Sequence, residues 1–316
     1  MRSFKYLLTI FLAWTLSFAW GQSMIPGSSP KIQVQVIKED ASLYSGQPFW
    51  LAFQVKMGPN TQMGWHMPAG TKNPTLFRLK LPKPLVVTRW IWPMPKIVWK
   101  EDKIDVFYQT SFTVLAQVQW SGPSEPRSKG SSEAAQWFLS GQSTWGQLID
   151  TIDLTGDFTL PSVRLPNEVP LAQDPLVLSE FARIFYSMPQ RLDPALVDWK
   201  VEGAKVYMII RQPINQALKW AIIPTHSRVD IPKSAILQVA QAQQQVQGKD
   251  VMLVFDNEAR RQWAACGVDE VMIVDEKNQQ ALVVSLELET MPLSWVEKVS
   301  QWWNLRVKGA VKSLRV

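Results

Sequence analysis

At 316 residues and 36.0 kDa, with 46% hydrophobic residues, 19% charged residues and 16 tryptophans, the chain is too apolar to be disordered and long enough to bury two cores. A mean hydropathy of −0.07 with one apolar run excludes a multi-span membrane protein, and the single cysteine, Cys266, excludes an intramolecular disulfide, a CxxC centre and a thiolate zinc cluster. Of the formal charge of +6, Arg2 and Lys5 supply two, and Lys298, Arg306, Lys308, Lys312 and Arg315 less Glu297 supply four, so the neutral remainder has no basic face for nucleic acid.

Residues 1–21 carry Arg2 and Lys5, an uncharged stretch from Tyr6 to Trp20, and Ala19-Trp20-Gly21, which reads as a secretory signal peptide cleaved before Gln22. The apolar stretch is shorter than the roughly 20 residues of a spanning helix, a retained anchor being the alternative. No lipobox cysteine follows it, and export places the rest of the chain in a periplasm-like compartment. Short alternating or β-branched runs then predict strands at Ile32–Ile37, Phe49–Lys56, Leu76–Lys80, Leu85–Trp90, Ile104–Val118 and Gln147–Leu154. Ser45-Gly46, Gly58-Pro59-Asn60 and Leu81-Pro82-Lys83-Pro84 are the turns between them, and Ser121–Ser132 is a Gly/Ser/Pro-rich loop.

This spacing predicts an antiparallel sandwich over 22–165, followed by a Pro-rich linker at Pro161–Pro175. A second β-rich domain is expected over 176–290. It opens with a short amphipathic helix at Leu176–Ser187 that displays Leu176, Phe181, Ile184 and Phe185. Strands follow at Val197–Val201, Lys205–Ile210, Lys219–Pro224, Val251–Phe255, Val271–Val274 and Ala281–Leu288, with Gln238–Gln247 readable as a helix or a polar excursion. The fold class is therefore mainly β, two immunoglobulin-like β-sandwich domains in tandem plus a C-terminal helix. That helix, 291–316, places Val296, Val299, Trp303, Val307, Ala310 and Leu314 on one stripe, flanked by Trp295 and Trp302. Its basic residues lie largely elsewhere, so it suits docking on protein or on an anionic membrane surface.

Gly64-Trp65-His66, Pro68-Ala69-Gly70, Asn73-Pro74-Thr75, Leu79-Lys80-Leu81-Pro82, Trp92-Pro93-Met94-Pro95 and Phe107-Tyr108 occur in an order that resembles the N-terminal periplasmic domain of the DsbD/ScsB-type thiol:disulfide interchange proteins. The likeness continues through Phe181-Ala182-Arg183, Met188-Pro189 and Trp220–Pro224 to Val229-Asp230-Ile231, and covers about Ile32 to Leu288. It implies immunoglobulin-like domains and a periplasmic role in redox or copper tolerance. The chain departs from the family where Met67 leads straight to Pro68 and where Phe107 precedes Tyr108. Electron-carrying members use a cysteine pair, a multi-span membrane domain and often a thioredoxin-like domain. A lone thiol cannot resolve the mixed disulfide of dithiol exchange, so the resemblance implies a scaffold without that chemistry.

No Gly-x-Ser-x-Gly and no paired carboxylates mark a hydrolase, and the two histidines, His66 and His226, fall in different halves as structural or surface residues. No catalytic residue is assigned. Met63, His66 and Met67, with Met57 and Met94 nearby in the pattern, offer soft ligands for Cu(I), although methionines on strands also serve as core filler. Cys266, near Arg260 and Arg261, is either a reactive thiol or a small buried residue. Trp65, Trp90, Trp92 and Trp99 line either a protein-binding groove or the sandwich core, with Trp90 and Trp92 on one strand face. Two functions follow from these residues. One is an exported, non-enzymatic adaptor for an envelope protein; the other is envelope redox or copper handling through the Met/His cluster or a mixed disulfide at Cys266.

Overall fold

Alternation of side chains across a strand decides which residues meet in the interior, and Phe49-Trp50-Leu51-Ala52-Phe53-Gln54-Val55 shows it most clearly: Phe49, Leu51, Phe53 and Val55 are buried on one face. The computed structural model describes residues 32–39, 42–44, 48–67, 72–100, 103–121, 134–160, 162–164, 174–211, 219–227, 231–244, 250–275 and 280–286, and the chain is mainly β. The first half contains β1 (Gln33–Lys38), β2 (Ser42–Tyr44), β3 (Phe49–Lys56), β4 (Thr61–Gly64), β5 (Leu76–Lys80), β6 (Leu85–Ile91), β7 (Lys96–Lys100), β8 (Lys103–Tyr108), β9 (Phe112–Trp120), β10 (Ala134–Trp145), β11 (Leu148–Thr159) and β12 (Ser162–Arg164). One sheet runs β1-β3-β9-β6 and the other β11-β10-β4-β8-β7, with β5 also on β10; β2 and β12 form a parallel pair. Phe53, Val114, Met63, Phe77, Ile97, Val106, Leu139 and Ile152 are buried in one core drawn from both sheets, as in a β-sandwich.

The second half comprises α1 (Pro175–Ser187), β13 (Gln190–Arg191), β14 (Val197–Glu202), β15 (Lys205–Ile210), β16 (Lys219–Pro224), α2 (Lys233–Ile236), β17 (Gln238–Gln244), β18 (Val251–Asp256), α3 (Asn257–Ala265), β19 (Glu270–Asp275) and β20 (Gln280–Ser285). Its strands form one eight-stranded path, β13-β20-β19-β16-β17-β18-β15-β14, antiparallel except for β13 on β20. The indole Nε1 of Trp263 on α3, fully buried, donates to the Ala235 carbonyl of α2 at 2.6 Å and holds the two helices together.

Helix α1 begins where Asp174 accepts from the Leu176 N–H with Pro175 at the first turn, and it ends before Pro189. It packs on the outer face of the first sheet. Ile37, Ala52, Leu115 and Ile91 are register partners across β1, β3, β9 and β6, and this row seats Phe181, Ile184 and Met188. Trp50 meets Phe185 edge-on at 5.2 Å, and the Gln54 amide donates to Glu180 at 2.8 Å. Burying Phe181 and Ile184 contributes about 1.5–3 kcal/mol each, enough to fix the helix there.

The sequence-predicted strand Ile104–Val118 is two strands, β8 and β9, because the chain turns through Gln109-Thr110-Ser111. Gln238–Gln247 is strand through Gln244, paired with β16 and β18. The long hairpin β10–β11 contains Ala134–Trp145, a stretch the pattern does not single out, and α3 is likewise unanticipated. The signal-peptide segment and the C-terminal helix with Trp295, Trp302 and Trp303 lie outside the described residues, as do Pro68-Ala69-Gly70 and most of the Ser121–Ser132 loop. Among the described residues no helix is long and apolar enough to cross a membrane.

Candidate functional site

Gly64, Trp65 and His66 leave the end of β4 and cross the segment Asn73-Pro74-Thr75 at close range. The Thr75 N–H donates to the Trp65 carbonyl at 3.1 Å, and the buried Thr75 hydroxyl donates to the Gly64 carbonyl at 2.5 Å. A Cβ on Gly64 would lie 2.1 Å from the Asn73 carbonyl oxygen, so only glycine permits this crossing. On the other side Gly141 of β10 faces Thr75, where an added Cβ would meet its Cα at 3.1 Å. The ordered Gly-Trp-His and Asn-Pro-Thr elements are thus two halves of one backbone junction. Trp65 is fully buried in the core beside it.

His66 is pinned from several directions. Its Nε2 lies 2.7 Å from the carbonyl of Thr225 in the second half of the chain, and its Nδ1 lies 3.5 Å from the Tyr108 hydroxyl. The partners assign the tautomer: Nε2–H donates to Thr225, and Nδ1 accepts from Tyr108. The ring stacks on Trp92 at 4.5 Å and 10°, and Tyr108 stacks in turn on Phe112 at 4.1 Å. Desolvation in this aromatic packing lowers the imidazole pKa from 6.5 to about 3, the Thr225 carbonyl opposing and His226 adding a smaller downward push. Burial likewise pushes the Tyr108 phenol well above its usual value, against a smaller opposing contribution from Trp65. The site holds a neutral imidazole at the seam between the two halves.

Met63 and Met67 are buried with the core, while Met57 and Met94 pack against it from partly exposed positions. Both ring nitrogens of His66 face oxygen partners, so a metal there would have to displace Thr225 or Tyr108. Among the described residues no group of three or more His, Cys, Asp or Glu is placed to hold a metal ion. Cys266 is buried at 7% exposure as the C-cap of α3, where its N–H donates to Gln262 and Trp263 carbonyls. His226 pairs with Asp269 at 2.8 Å on the surface, one residue from the Thr225 carbonyl that His66 reaches. Pro95 is buried and Pro93 partly so, holding the chain after Trp92 against the sandwich. The Trp99 side chain lies outside the described part of the structure.

Trp90 shares its face with Trp92, the ring centroids 6.4 Å apart, but its surroundings differ. It belongs to a cleft that the sequence pattern alone does not single out. Strands β5 and β6 follow one another in the chain but lie in different sheets, joined through Leu81–Pro84. β5 bonds β10 along one edge and β6 bonds β9 along one edge; among the described residues no strand pairs with the other edge of either. Between those edges is a cleft of about 580 Å3 lined by Phe77, Leu79, Leu81, Leu85, Val87 and Trp90. Arg78 and Lys80 stand exposed on the outward face of β5, and neither makes an ion pair among the described residues. The alternation Phe77-Arg78-Leu79-Lys80-Leu81 was the available signal for this arrangement.

No family model and no curated protein matches the sequence. Among solved structures the fold is similar to the N-terminal periplasmic domain of ScsB from Proteus mirabilis, at 10% identity and a TM-score of 0.47, covering 84% of this chain and 95% of that one. Weaker likenesses include BcpA, the major pilin subunit of Bacillus cereus, at 8% identity and a TM-score of 0.25 over 81% of this chain and 69% of that one. Another is Spo0M, a sporulation control protein from Bacillus subtilis, at 12% identity and a TM-score of 0.20 over 82% and 85%. Likenesses at these scores carry no inference about activity.

Proposed function

We propose that this chain is an exported, non-enzymatic binding or adaptor protein for another envelope protein. The cleft between β5 and β6 is the observation that carries the reading, because it combines half-buried apolar side chains, Arg78 and Lys80 at its rim, and strand edges with hydrogen-bonding capacity to spare. The chemistry of the single thiol supports the same reading. Cys266 is buried in the second half, and the sequence offers no second cysteine to resolve a mixed disulfide with it. Residues 291–316 add a further contact with the partner or the membrane surface. Replacing Cys266 by Ala should leave partner capture intact, whereas a photo-crosslinking residue at Val86, 42% exposed beside the cleft, should trap the partner. Loss of capture in the Cys266→Ala variant would return the function to thiol chemistry.

A second reading is Cu(I) handling by Met63, His66 and Met67, supported by a neutral His66 that stands in the chain between two buried methionines, with Thr225 and Tyr108 to be displaced by the metal. Native mass spectrometry under reducing conditions, with Met63→Leu/His66→Ala beside the parent, tests it. Stoichiometric copper lost in the double variant would establish that site, and no copper at micromolar excess would remove it.

A further inference from the structure

A sheet edge that borders an apolar cleft can accept one more strand, and the geometry here specifies what such a strand would carry. β5 pairs with β10 in unbroken register from Leu76↔Ser140 to Lys80↔Gln136, so the edge that no described strand pairs is regular over five residues. The edge of β6 across the cleft is interrupted by a bulge between Val87 and Arg89, a feature that discourages pairing. Among the described residues the open, regular edge is therefore that of β5. Phe77 is buried and Leu79 half-buried on its inward side, whereas Leu76, Arg78 and Lys80 are exposed on the outward side.

A strand laid beside β5 repeats its pleat. Every second side chain would enter the cleft against Leu79, Leu85, Val87 and Trp90, and the intervening ones would stand beside Arg78 and Lys80. On their other flank these two cations face Phe138 and Gln136 of β10, with Asp153 and Asp157 one strand further on in β11, and neither cation makes an ion pair with them. Opposite charges directly across a strand pair stabilise and like charges oppose it, so the vacant lane favours carboxylates.

We propose that the free edge of β5 takes an extended segment of a partner protein by strand addition, a segment alternating apolar residues, which enter the cleft, with acidic residues, which face Arg78 and Lys80. This rests on the binding reading above and gives the partner a chemical class. The segment need be only about five residues long, roughly 17 Å of strand. The main chain of β5 supplies affinity and the cleft and cations supply selection.

The test uses the full chain and three capped nine-residue peptides: valine alternating with glutamate, valine alternating with lysine, and the first composition with its valines and glutamates in separate blocks. The expected result is binding of the alternating glutamate peptide only, with slowed hydrogen exchange at amides of residues 76–80. Arg78→Glu/Lys80→Glu, at two exposed positions and with an unchanged melting temperature, should weaken that peptide about tenfold or more and admit the lysine peptide. Binding of none of the peptides, equal binding of all three, or binding without protection at residues 76–80 overturns strand addition. Self-association that the double variant abolishes also overturns it, in favour of a second copy in the cleft. If Val86 or another surface position traps an envelope protein while the peptides fail, strand addition falls and the binding reading stands.

Discussion

His66 links the two halves through the Thr225 carbonyl, and its protonation should loosen that seam by a calculable amount. In the folded chain its pKa is lowered from 6.5 to about 3, so the unfolded chain takes up a proton over a range where the folded one does not. The stabilisation is fully present above pH 6.5 and is lost as the pH falls from there towards 3, at a limiting slope of about 1.4 kcal/mol per pH unit. By pH 4.5 the loss from this residue is on the order of 2–3 kcal/mol at most, and the ring's remaining solvent contact makes it smaller. His66→Gln keeps an amide that can donate to Thr225 but does not titrate. Urea unfolding of both proteins at half-unit steps from pH 7.5 to 4.5 isolates the difference, because Glu180, whose pKa Arg183 lowers, and the other carboxylates titrate in both. The parent should lose stability relative to His66→Gln by about 1–2 kcal/mol across this range, within what the shift allows. Parallel curves for the two proteins would refute a neutral, desolvated His66.

Gly64→Ala puts a Cβ where the Asn73 carbonyl oxygen would lie 2.1 Å away, so the backbone must shift, and should cost about 2–4 kcal/mol in urea unfolding, without the pH dependence of the His66 effect. Phe181→Ala empties the seat of α1 and should cost about 3–5 kcal/mol, with accelerated hydrogen exchange along residues 175–187; Ala52→Leu should destabilise the same contact by overpacking, by about 1–3 kcal/mol. Sedimentation with anionic vesicles should retain the full chain and release the Trp302→Ala/Trp303→Ala variant, whereas binding indifferent to both tryptophans would assign 291–316 to a protein contact.

The strands easiest to read were those whose alternation is strict and whose ends are marked. Phe49–Lys56, Leu76–Lys80, Lys205–Ile210 and Lys219–Pro224 have the bounds the pattern predicts. Ile104–Val118 reads as one strand because Gln109-Thr110-Ser111 contains neither Gly nor Pro, yet the chain reverses there to put β8 and β9 in different sheets. Ala134–Trp145 hides its alternation in small and polar residues, with Ala135, Trp137, Leu139 and Ser143 buried and Gly141 against Thr75 on that face. Gln238–Gln244 has no decisive propensity, and its strand character comes from β16 and β18 on either side. For α3 the signal was present: Asp256 caps a run of good helix formers, its carboxylate accepting from the Glu258 N–H. The Gly-Trp-His element was legible as a motif, but its role was not, since Thr225 lies 159 residues from His66 and no local pattern connects them. The cleft was illegible for the same reason: alternation along Phe77–Leu81 is local, but which edge of β5 stays open depends on β10.

The most direct test of a thiol-independent binding protein is in-cell photo-crosslinking from Val86 in four backgrounds: the parent, Cys266→Ala, Arg78→Glu/Lys80→Glu, and all three substitutions together. The account predicts one envelope-protein adduct that survives removal of the cysteine and disappears whenever both cations are reversed. An adduct that vanishes with Cys266 alone and is indifferent to Arg78 and Lys80 would contradict it.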